Sequence, residues 1–207
     1  MKRRNPTFRA ALAAAVVLVT ACGAEPDADV QAPPAPEAAP AASASEAGPD
    51  AGAARQPASP RDTAQAMVGG ARVLVDYGRP YRRDRTIMGG LVPYGQVWRT
   101  GANAATTLVT DADLRIGDTP VPRGTYTMYT VPGPDAWSLI LNRQTGQWGT
   151  EYDESQDLAR IPMRVSRTDD TVEQFTIAVE PREGAAGELV LTWENTRASV
   201  PLAVVGQ

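Results

Sequence analysis

The residue types that most often carry out catalysis are nearly absent from this chain of 207 residues. The sequence has no histidine, its one cysteine is Cys22, and its single lysine is Lys2. A Ser-His-Asp triad cannot form, and neither a zinc site built from Cys and His nor a Schiff-base lysine is available past the N-terminus. We therefore predict no cofactor and no metal, and we favour a non-catalytic role over an enzymatic one.

The densest group of polar and aromatic residues lies in residues 94–107, where Trp98, Arg99 and Asn103 fall within six positions around Gly101. A turn at Gly101 would let both polar side chains point into one cavity, and a guanidinium suits a carboxylate or phosphate. Arg79, before Pro80, is a further candidate. The alternative is structural, with Arg99 paired to an acid and Asn103 bonded to its own turn. The cluster of Arg82, Arg83 and Arg85 is typical of a solvated basic loop.

A second group lies in residues 142–157, where Trp148 sits between Gly146 and Gly149 and could stack on a sugar ring. Four acids follow it, and with one acid near the C-terminus they are candidates for a glycosidase pair: Glu151, Asp153, Glu154, Asp157 and Glu194. The alternative is an ordinary solvated acidic loop. The segment lacks the D-x-D-x-D-G pattern that would indicate a calcium site.

Hydrophobic residues with a period of two predict the elements that must position these candidates. Phe175, Ile177 and Val179 alternate with polar or small residues, as do Leu189, Leu191 and Trp193. We predict an all-β domain, an antiparallel β-sandwich or a Greek-key or jelly-roll-like barrel, with few or no helices. The predicted strands are 72–77, 106–110, 125–131, 136–142, 161–165, 175–179, 189–193 and 199–205, and Trp193 to Thr196 is predicted to turn a C-terminal hairpin.

The N-terminal segment predicts export and lipidation. A basic stretch precedes an apolar run of 12 residues, 10–21, which is too short to span a bilayer and is typical of a signal peptide, residues 1–21. Small residues just before Cys22 resemble a bacterial lipobox, so we expect acylation of Cys22. Gly23 follows in place of a retention aspartate, which favours the periplasmic face of an outer membrane. The alternative is an ordinary secretory signal cleaved after Ala21.

Composition divides the rest of the chain in two. Residues 23–62 hold 14 alanines and 8 prolines, no aromatic residue, and a net charge of −5. A segment of this kind cannot bury enough apolar surface to offset its chain entropy, so we predict a disordered tether over residues 22–62. Residues 63–207 hold all the tryptophans and form the predicted folded domain. The net charge of −4 for the whole chain argues against a nucleic-acid partner.

Several sequence blocks resemble the bacterial domain-of-unknown-function family DUF 2911. They are VDYGRP, GGLVPYGQVWRTGANAATT, VPRGTYTMYTVPG, WSLILN and QWGTEYD, followed by a closing strand with LTWE, and together they run from about Arg72 to Val204. Family members resemble secreted or lipid-anchored bacterial proteins, and the resemblance implies no catalytic residue. Where members usually carry Glu, this chain has Ala105, so Arg99 must find another partner or be freer to bind a ligand.

Three functional hypotheses remain. We favour a lipid-anchored cell-envelope protein that is held at the membrane through Cys22 and binds a ligand or partner without catalysis. Its predicted binding residues are Arg79, Trp98, Arg99, Asn103 and Trp148. Its expected partners are a glycan, an anionic small molecule or an envelope protein. The alternatives are a hydrolase of glycans with paired carboxylates and a purely structural envelope lipoprotein.

Overall fold

The computed structural model describes residues 58–206, and these form a single antiparallel sheet around one core. The nine strands are β1 Arg61–Val68, β2 Ala71–Gly78, β3 Thr106–Thr110, β4 Leu114–Ile116, β5 Thr119–Val121, β6 Gly124–Val131, β7 Ala136–Asn142, β8 Asp157–Pro181 and β9 Ala186–Val204. The one helical element among the described residues is a 3-10 turn, Glu154–Gln156. The prediction of an all-β domain is therefore confirmed.

The strands hydrogen-bond in the order β1-β2-β3-β6-β7-β8-β9-β4-β5, so the sheet is continuous and open. The sheet bends along its long strands and so covers the core. The chain just after β2 lies alongside β8, where Tyr81 and Gln174 form an isolated bridge and the N–H of Phe175 donates to the carbonyl of Pro80 at 2.9 Å. This approach brings the loops after β2 next to the middle of β8 and β9, where the cavity described below is found.

Alternation along the strands builds the core. In β2 the side chains of Val73, Val75 and Tyr77 are buried, while the intervening positions are exposed or half-buried. Each fully buried aliphatic side chain of this size contributes about 1.5–3 kcal/mol relative to an exposed one. The predicted alternation is also observed in β8, where Phe175 is fully buried; in β9 Leu191 and Trp193 are fully buried, but Val190 between the predicted core positions is buried as well.

The C-terminal half differs from the prediction in how its strands are joined. The predicted strands 161–165 and 175–179 are two parts of β8, and 189–193 and 199–205 are joined in β9. The predicted hairpin at Trp193 to Thr196 is wrong, because these residues lie inside β9. Glu194 has a φ of 54° beside a shift in the β8–β9 register, so a β-bulge bends the strand without reversing it.

The N-terminal predictions fall almost wholly outside the described residues. These predictions are the signal segment, Cys22 and all but the last five residues of the tether. Arg61 and Asp62, which the sequence assigned to the tether, are the first residues of β1. Within residues 58–206, no helix is both long and apolar enough to cross a membrane.

Candidate functional site

A cavity of about 500 Å³ opens where the long loop between β2 and β3, residues 79–105, and the loop after β7 meet the middle of β9. Residues distant in sequence form its wall: Ala58, Ser59, Pro80, Arg83, Arg85, Leu91, Val92, Val97, Trp98, Arg99, Gly101, Ala102, Asn103, Tyr129, Gly149, Thr150, Tyr152 and Trp193. Of the five predicted binding residues, the cavity wall includes Trp98, Arg99 and Asn103.

Trp98 ties the loop before β3 to the core. Its backbone N–H donates to the carbonyl of Thr130 at 2.7 Å, and Thr130 returns a bond of 2.9 Å. Its ring lies almost parallel to that of Trp193, with centroids 5.9 Å apart, and meets Phe175 edge-on at 5.0 Å. Such aromatic pairs stabilise a fixed ring orientation, so one wall of the cavity is a rigid apolar surface.

The next residues form a tight, strained turn. Thr100 is fully buried with a φ of 52°, an unusual conformation for a β-branched residue. Its hydroxyl donates to the carbonyl of Trp98 at 3.3 Å, and its own carbonyl accepts from the Thr106 hydroxyl at 2.8 Å. A Cβ at Gly78 would overlap the carbonyl oxygen of Ala102, so the close approach of this turn requires glycine there. The turn holds Arg99 and Asn103 at the cavity wall, as the spacing around Gly101 predicts.

Backbone strain within the described residues is concentrated at this cavity. Non-glycine residues with positive φ are Arg83, Asp84, Thr100, Asn103 and Glu194. Each of them either lines the cavity or is next in sequence to a residue that does. Strained conformations persist only where surrounding contacts enforce them, and they cluster at functional sites. Their placement therefore marks this cavity as the candidate site.

The cavity is strongly cationic. Three arginines line it, Arg83, Arg85 and Arg99, and no acidic residue does. Within residues 58–206, none of the three forms a salt bridge. The Arg99 Nε donates to the carbonyl of Gly101 at 3.4 Å, and the guanidinium of Arg85 donates to the backbone carbonyls of Tyr81 and Arg82. The structure thus gathers three charges that have no protein counter-ion in the described part of the chain.

Glu194 holds the loop that carries part of the cavity wall. Its carboxylate accepts from the backbone N–H groups of Ile87 and Met88 at 3.3 and 3.2 Å, and it lies 3.7 Å from the Arg82 Nε. Ile87 and Val92 are fully buried, which fixes both ends of the turn between them. The exposed Leu91 is therefore held at the cavity by a well-anchored loop.

Two predicted binding residues do not line the cavity. Arg79 is engaged by the fold, since it donates to the Phe175 carbonyl at 3.1 Å and to the Thr176 hydroxyl at 3.0 Å, and it pairs with Asp62 at 2.8 Å. Trp148 is half exposed and bridges to Ala104 through its backbone, while its neighbour Gly149 lines the cavity. The structure therefore brings three of the five predicted residues together.

Most of the acids predicted for a hydrolase are engaged in local contacts, while Glu151 is exposed. Asp157 accepts from Tyr152 at 2.6 Å and from Asn142 at 2.9 Å, and Glu154 pairs with Arg160 at 2.8 Å. Asp153 caps the 3-10 turn, and its hydrogen bonds from the Ser155 hydroxyl and N–H lower its pKa, the opposite of what a general acid requires. None of these acids lines the cavity, and among the described residues no group of three potential metal ligands is found.

Two tyrosines line the cavity with their hydroxyls already bonded to protein. Tyr129 donates to the carbonyl of Glu151 at 3.0 Å and accepts from Gln147. Burial, together with the hydrogen bond to Asp157, raises the pKa of Tyr152 to about 12, so its phenol stays neutral. The rings meet edge-on with centroids 4.9 Å apart. Both residues therefore present mainly ring surface to the cavity.

Sequence reasoning missed much of the cavity wall. The sequence favours a solvated basic loop for Arg83 and Arg85, and both residues are exposed, yet both also line the cavity. The grouping of these arginines shortly after Pro80 is the sequence feature that could have indicated their place in the site. Tyr152, Leu91 and Trp193 carried no signal, because only the folded chain brings them next to Arg99.

The sequence of the folded domain matches a known protein family. Residues 59–202 match the family described as "Protein of unknown function (DUF2911)". No curated protein and no solved structure matches the chain. The match extends over most of the chain and nearly all of the described domain, which confirms the resemblance found in the sequence. The chain belongs to the DUF2911 family.

Proposed function

We propose that this protein is a cell-envelope lipoprotein whose β-domain binds an anionic small molecule, without catalysis, in the cavity lined by Arg83, Arg85 and Arg99. The observation that carries the proposal is the charge of that wall, which has three arginines and no carboxylate. Arg83 and Arg85 are exposed and Arg99 is half-buried. Like charges that line one cavity repel one another, and an anion relieves that repulsion. Guanidinium groups also match carboxylate and phosphate oxygens geometrically.

The anchor is a separate part of the proposal and is supported by the sequence alone. The basic N-terminus, the apolar run of 12 residues and the small residues before Cys22 favour acylation of that cysteine. Gly23 favours placement on the periplasmic face of an outer membrane. The domain would then bind its ligand close to a membrane surface.

Titration calorimetry and thermal melting of the purified protein test the binding proposal with citrate and inorganic phosphate as anionic probes and glucose as the neutral probe. We expect an anion to bind and raise the melting temperature. Arg99→Met should weaken that binding about ten- to hundredfold, since a hydrogen bond to a charged group is lost. Arg99→Glu should abolish it. Arg115→Met is the matched control, because Arg115 is exposed on β4, away from the cavity wall.

Two results would contradict the proposal. If Arg99→Glu and Arg99→Met both unfold the protein, the arginine is structural and the site assignment is wrong. If glucose binds more tightly than either anion, and Arg99→Met leaves that binding unchanged, the cavity is a sugar site and not an anion site.

A further inference from the structure

The size of the cavity exceeds what a small inorganic anion requires. At about 500 Å³, it falls within the range of about 300–1,000 Å³ that is typical of sites for organic ligands of moderate size. The three arginines account for the recognition of an anionic group. The remaining wall must therefore contact a larger body attached to that group.

Part of that remaining wall is apolar. Val92 and the stacked pair of Trp98 and Trp193 lie on the core side, and Leu91 and Val97 lie on the solvent side. The side chains of Leu91 and Val97 are 48% and 39% exposed, so water covers apolar surface that a ligand could cover instead. Tyr94, on the same loop, is 43% exposed. Exposed apolar residues grouped at a cavity are typical of a binding surface, whereas single exposed apolar residues are not.

Carboxylate and amide oxygens are scarce in the cavity wall. Sugar hydroxyls donate as well as accept, so a glycan site needs several acceptor atoms. No carboxylate lines this cavity, the hydroxyls of Tyr129 and Tyr152 are already bonded to protein, and Ser59 and Thr150 contribute the other two side-chain hydroxyls of the wall. The amide of Asn103 is the one side-chain amide in the wall. The wall therefore suits a ligand that is anionic at one end and apolar at the other better than it suits a polyhydroxylated one.

We infer that the cavity binds a single-chain anionic amphiphile, with a carboxylate or phosphate at Arg83, Arg85 and Arg99 and an acyl chain or arene against Leu91, Val97 and Trp98. This inference rests on the proposed function and specifies its ligand class. The loop that presents Leu91 is fixed by Glu194 and by the hydrogen bond from the Gly89 N–H to the Val92 carbonyl at 2.9 Å. The apolar wall is thus organised before the ligand arrives, which lowers the entropic cost of binding.

The test is a chain-length series of monomeric anions: acetate, octanoate and dodecanoate, and octyl and dodecyl phosphate, all below their micelle concentrations. Binding to the purified protein is measured by calorimetry and by tryptophan fluorescence, to which Trp98 and Trp193 contribute. We expect affinity to rise about tenfold or more from octanoate to dodecanoate, since each buried methylene contributes up to about fourfold. Dodecanol, the neutral counterpart, should bind much more weakly than dodecanoate.

Variants separate the two ends of the ligand. The double variant Leu91→Ser with Val97→Ser should flatten the chain-length series while leaving citrate affinity unchanged. Arg99→Met should weaken every anion by a similar factor. Val205→Ser is the matched control, because Val205 is 55% exposed but does not line the cavity. It should leave the series intact.

Three outcomes would overturn the inference. A flat series, together with citrate binding that depends on Arg99, would refute the amphiphile and leave the proposed anion-binding function standing. Equal binding of dodecanol and dodecanoate would show that charge plays no part. Binding to vesicles of an anionic phospholipid without binding of any monomeric amphiphile would identify a membrane surface as the partner. If no anion of either set binds, the proposed function itself fails.

Discussion

Arginine side chains serve two different purposes in this domain. Arg182 and Arg197 converge on the carboxylate of Glu188, at 2.6 and 3.2 Å, and Arg160 pairs with Asp157 and Glu154. These groups stabilise strands. Arg99 pairs with no acid among residues 58–206, although a buried or half-buried cation normally acquires a partner. At the residue scale, the contrast is what distinguishes a structural arginine from one available to a ligand.

Glu188 gives a pH-dependent prediction. Burial opposes its ionisation, but hydrogen bonds from Ser199, Arg182 and Arg197 outweigh burial and lower its pKa to about 2. A carboxyl whose pKa is lower in the folded state than in the unfolded state stabilises the protein above the unfolded value, and that contribution is lost as the pH falls towards the folded value. Its contribution is therefore complete at neutral pH and is lost as the pH falls from the ordinary glutamate pKa of 4.5 to about 2.

We expect Glu188→Gln to lower the free energy of unfolding by about 2 kcal/mol at neutral pH, after allowance for the solvent exposure of Arg182. Urea denaturation of both proteins at neutral pH and at about pH 3 measures the difference in the free energy of unfolding, which should be smaller at the acidic pH. Glu183→Gln, on the turn between β8 and β9, is the control and should show no such difference. If Glu188→Gln lowers the free energy of unfolding by the same amount at both pH values, ionisation of Glu188 is not what stabilises the pairing of β8 with β9.

At the scale of elements, the site depends on the close approach of the end of β2 to the turn before β3. Gly78, the last residue of β2, lies against the backbone of Ala102, and Gly101 lies against Gly78 and the Thr106 hydroxyl. Backbone atoms cannot move aside as flexible side chains do, so this contact fixes where the turn carries Arg99 and Asn103. The geometry of the cavity is therefore set by strand packing as well as by loop sequence.

We expect Gly78→Ala to lower the free energy of unfolding by about 1–3 kcal/mol, because the added methyl group overpacks the contact. It should also weaken anion binding, since it displaces the turn that carries Arg99. Gly184→Ala is a matched control: its surroundings are open and its φ is 70°, so strain alone should cost about 1 kcal/mol without affecting the ligand. Thermal melting and calorimetry on both variants make the comparison. Unchanged binding in a folded Gly78→Ala protein would mean that the turn does not position the site.

At the scale of the whole molecule, the chain joins a proposed anchor at Cys22 to a domain whose first strand begins at Arg61. Ala58 and Ser59, the first described residues, line the cavity, so the chain enters the domain at the site itself.

We expect Cys22→Ser to move the protein from the membrane fraction to the soluble fraction, because a cysteine thiol is required for acylation. Intact mass of the membrane-extracted protein should show added acyl chains on the unaltered chain and none on the variant. Thr20→Ser, in the same segment, should change neither result. An unmodified mass, with the unaltered protein already in the soluble fraction, would favour an ordinary secretory signal cleaved after Ala21. Membrane association that Cys22→Ser leaves unchanged would contradict the proposed lipid anchor.

The sequence by itself determined the class of fold and much of the strand pattern, because alternation such as Phe175, Ile177 and Val179 is local and records which face of a strand is buried. It also predicted that Trp98, Arg99 and Asn103 lie at one turn, since they fall within six consecutive positions around Gly101. It failed at the segment from Trp193 to Thr196, where a bulge and a hairpin require the same polar residues and only pairing with β8 separates them.

Tertiary structure alone decided the composition of the site. Glu194 holds the backbone of Ile87 from 107 positions away, and Trp193 reaches Trp98 across a similar gap. No local pattern encodes such contacts, because they depend on how the sheet curls and on which strand edges meet. The same folding pairs Arg79 with Asp62 and leaves Arg99 without an acid among the described residues. The sequence around each arginine does not show which of the two acquires a partner, because Asp62 lies 17 positions from Arg79.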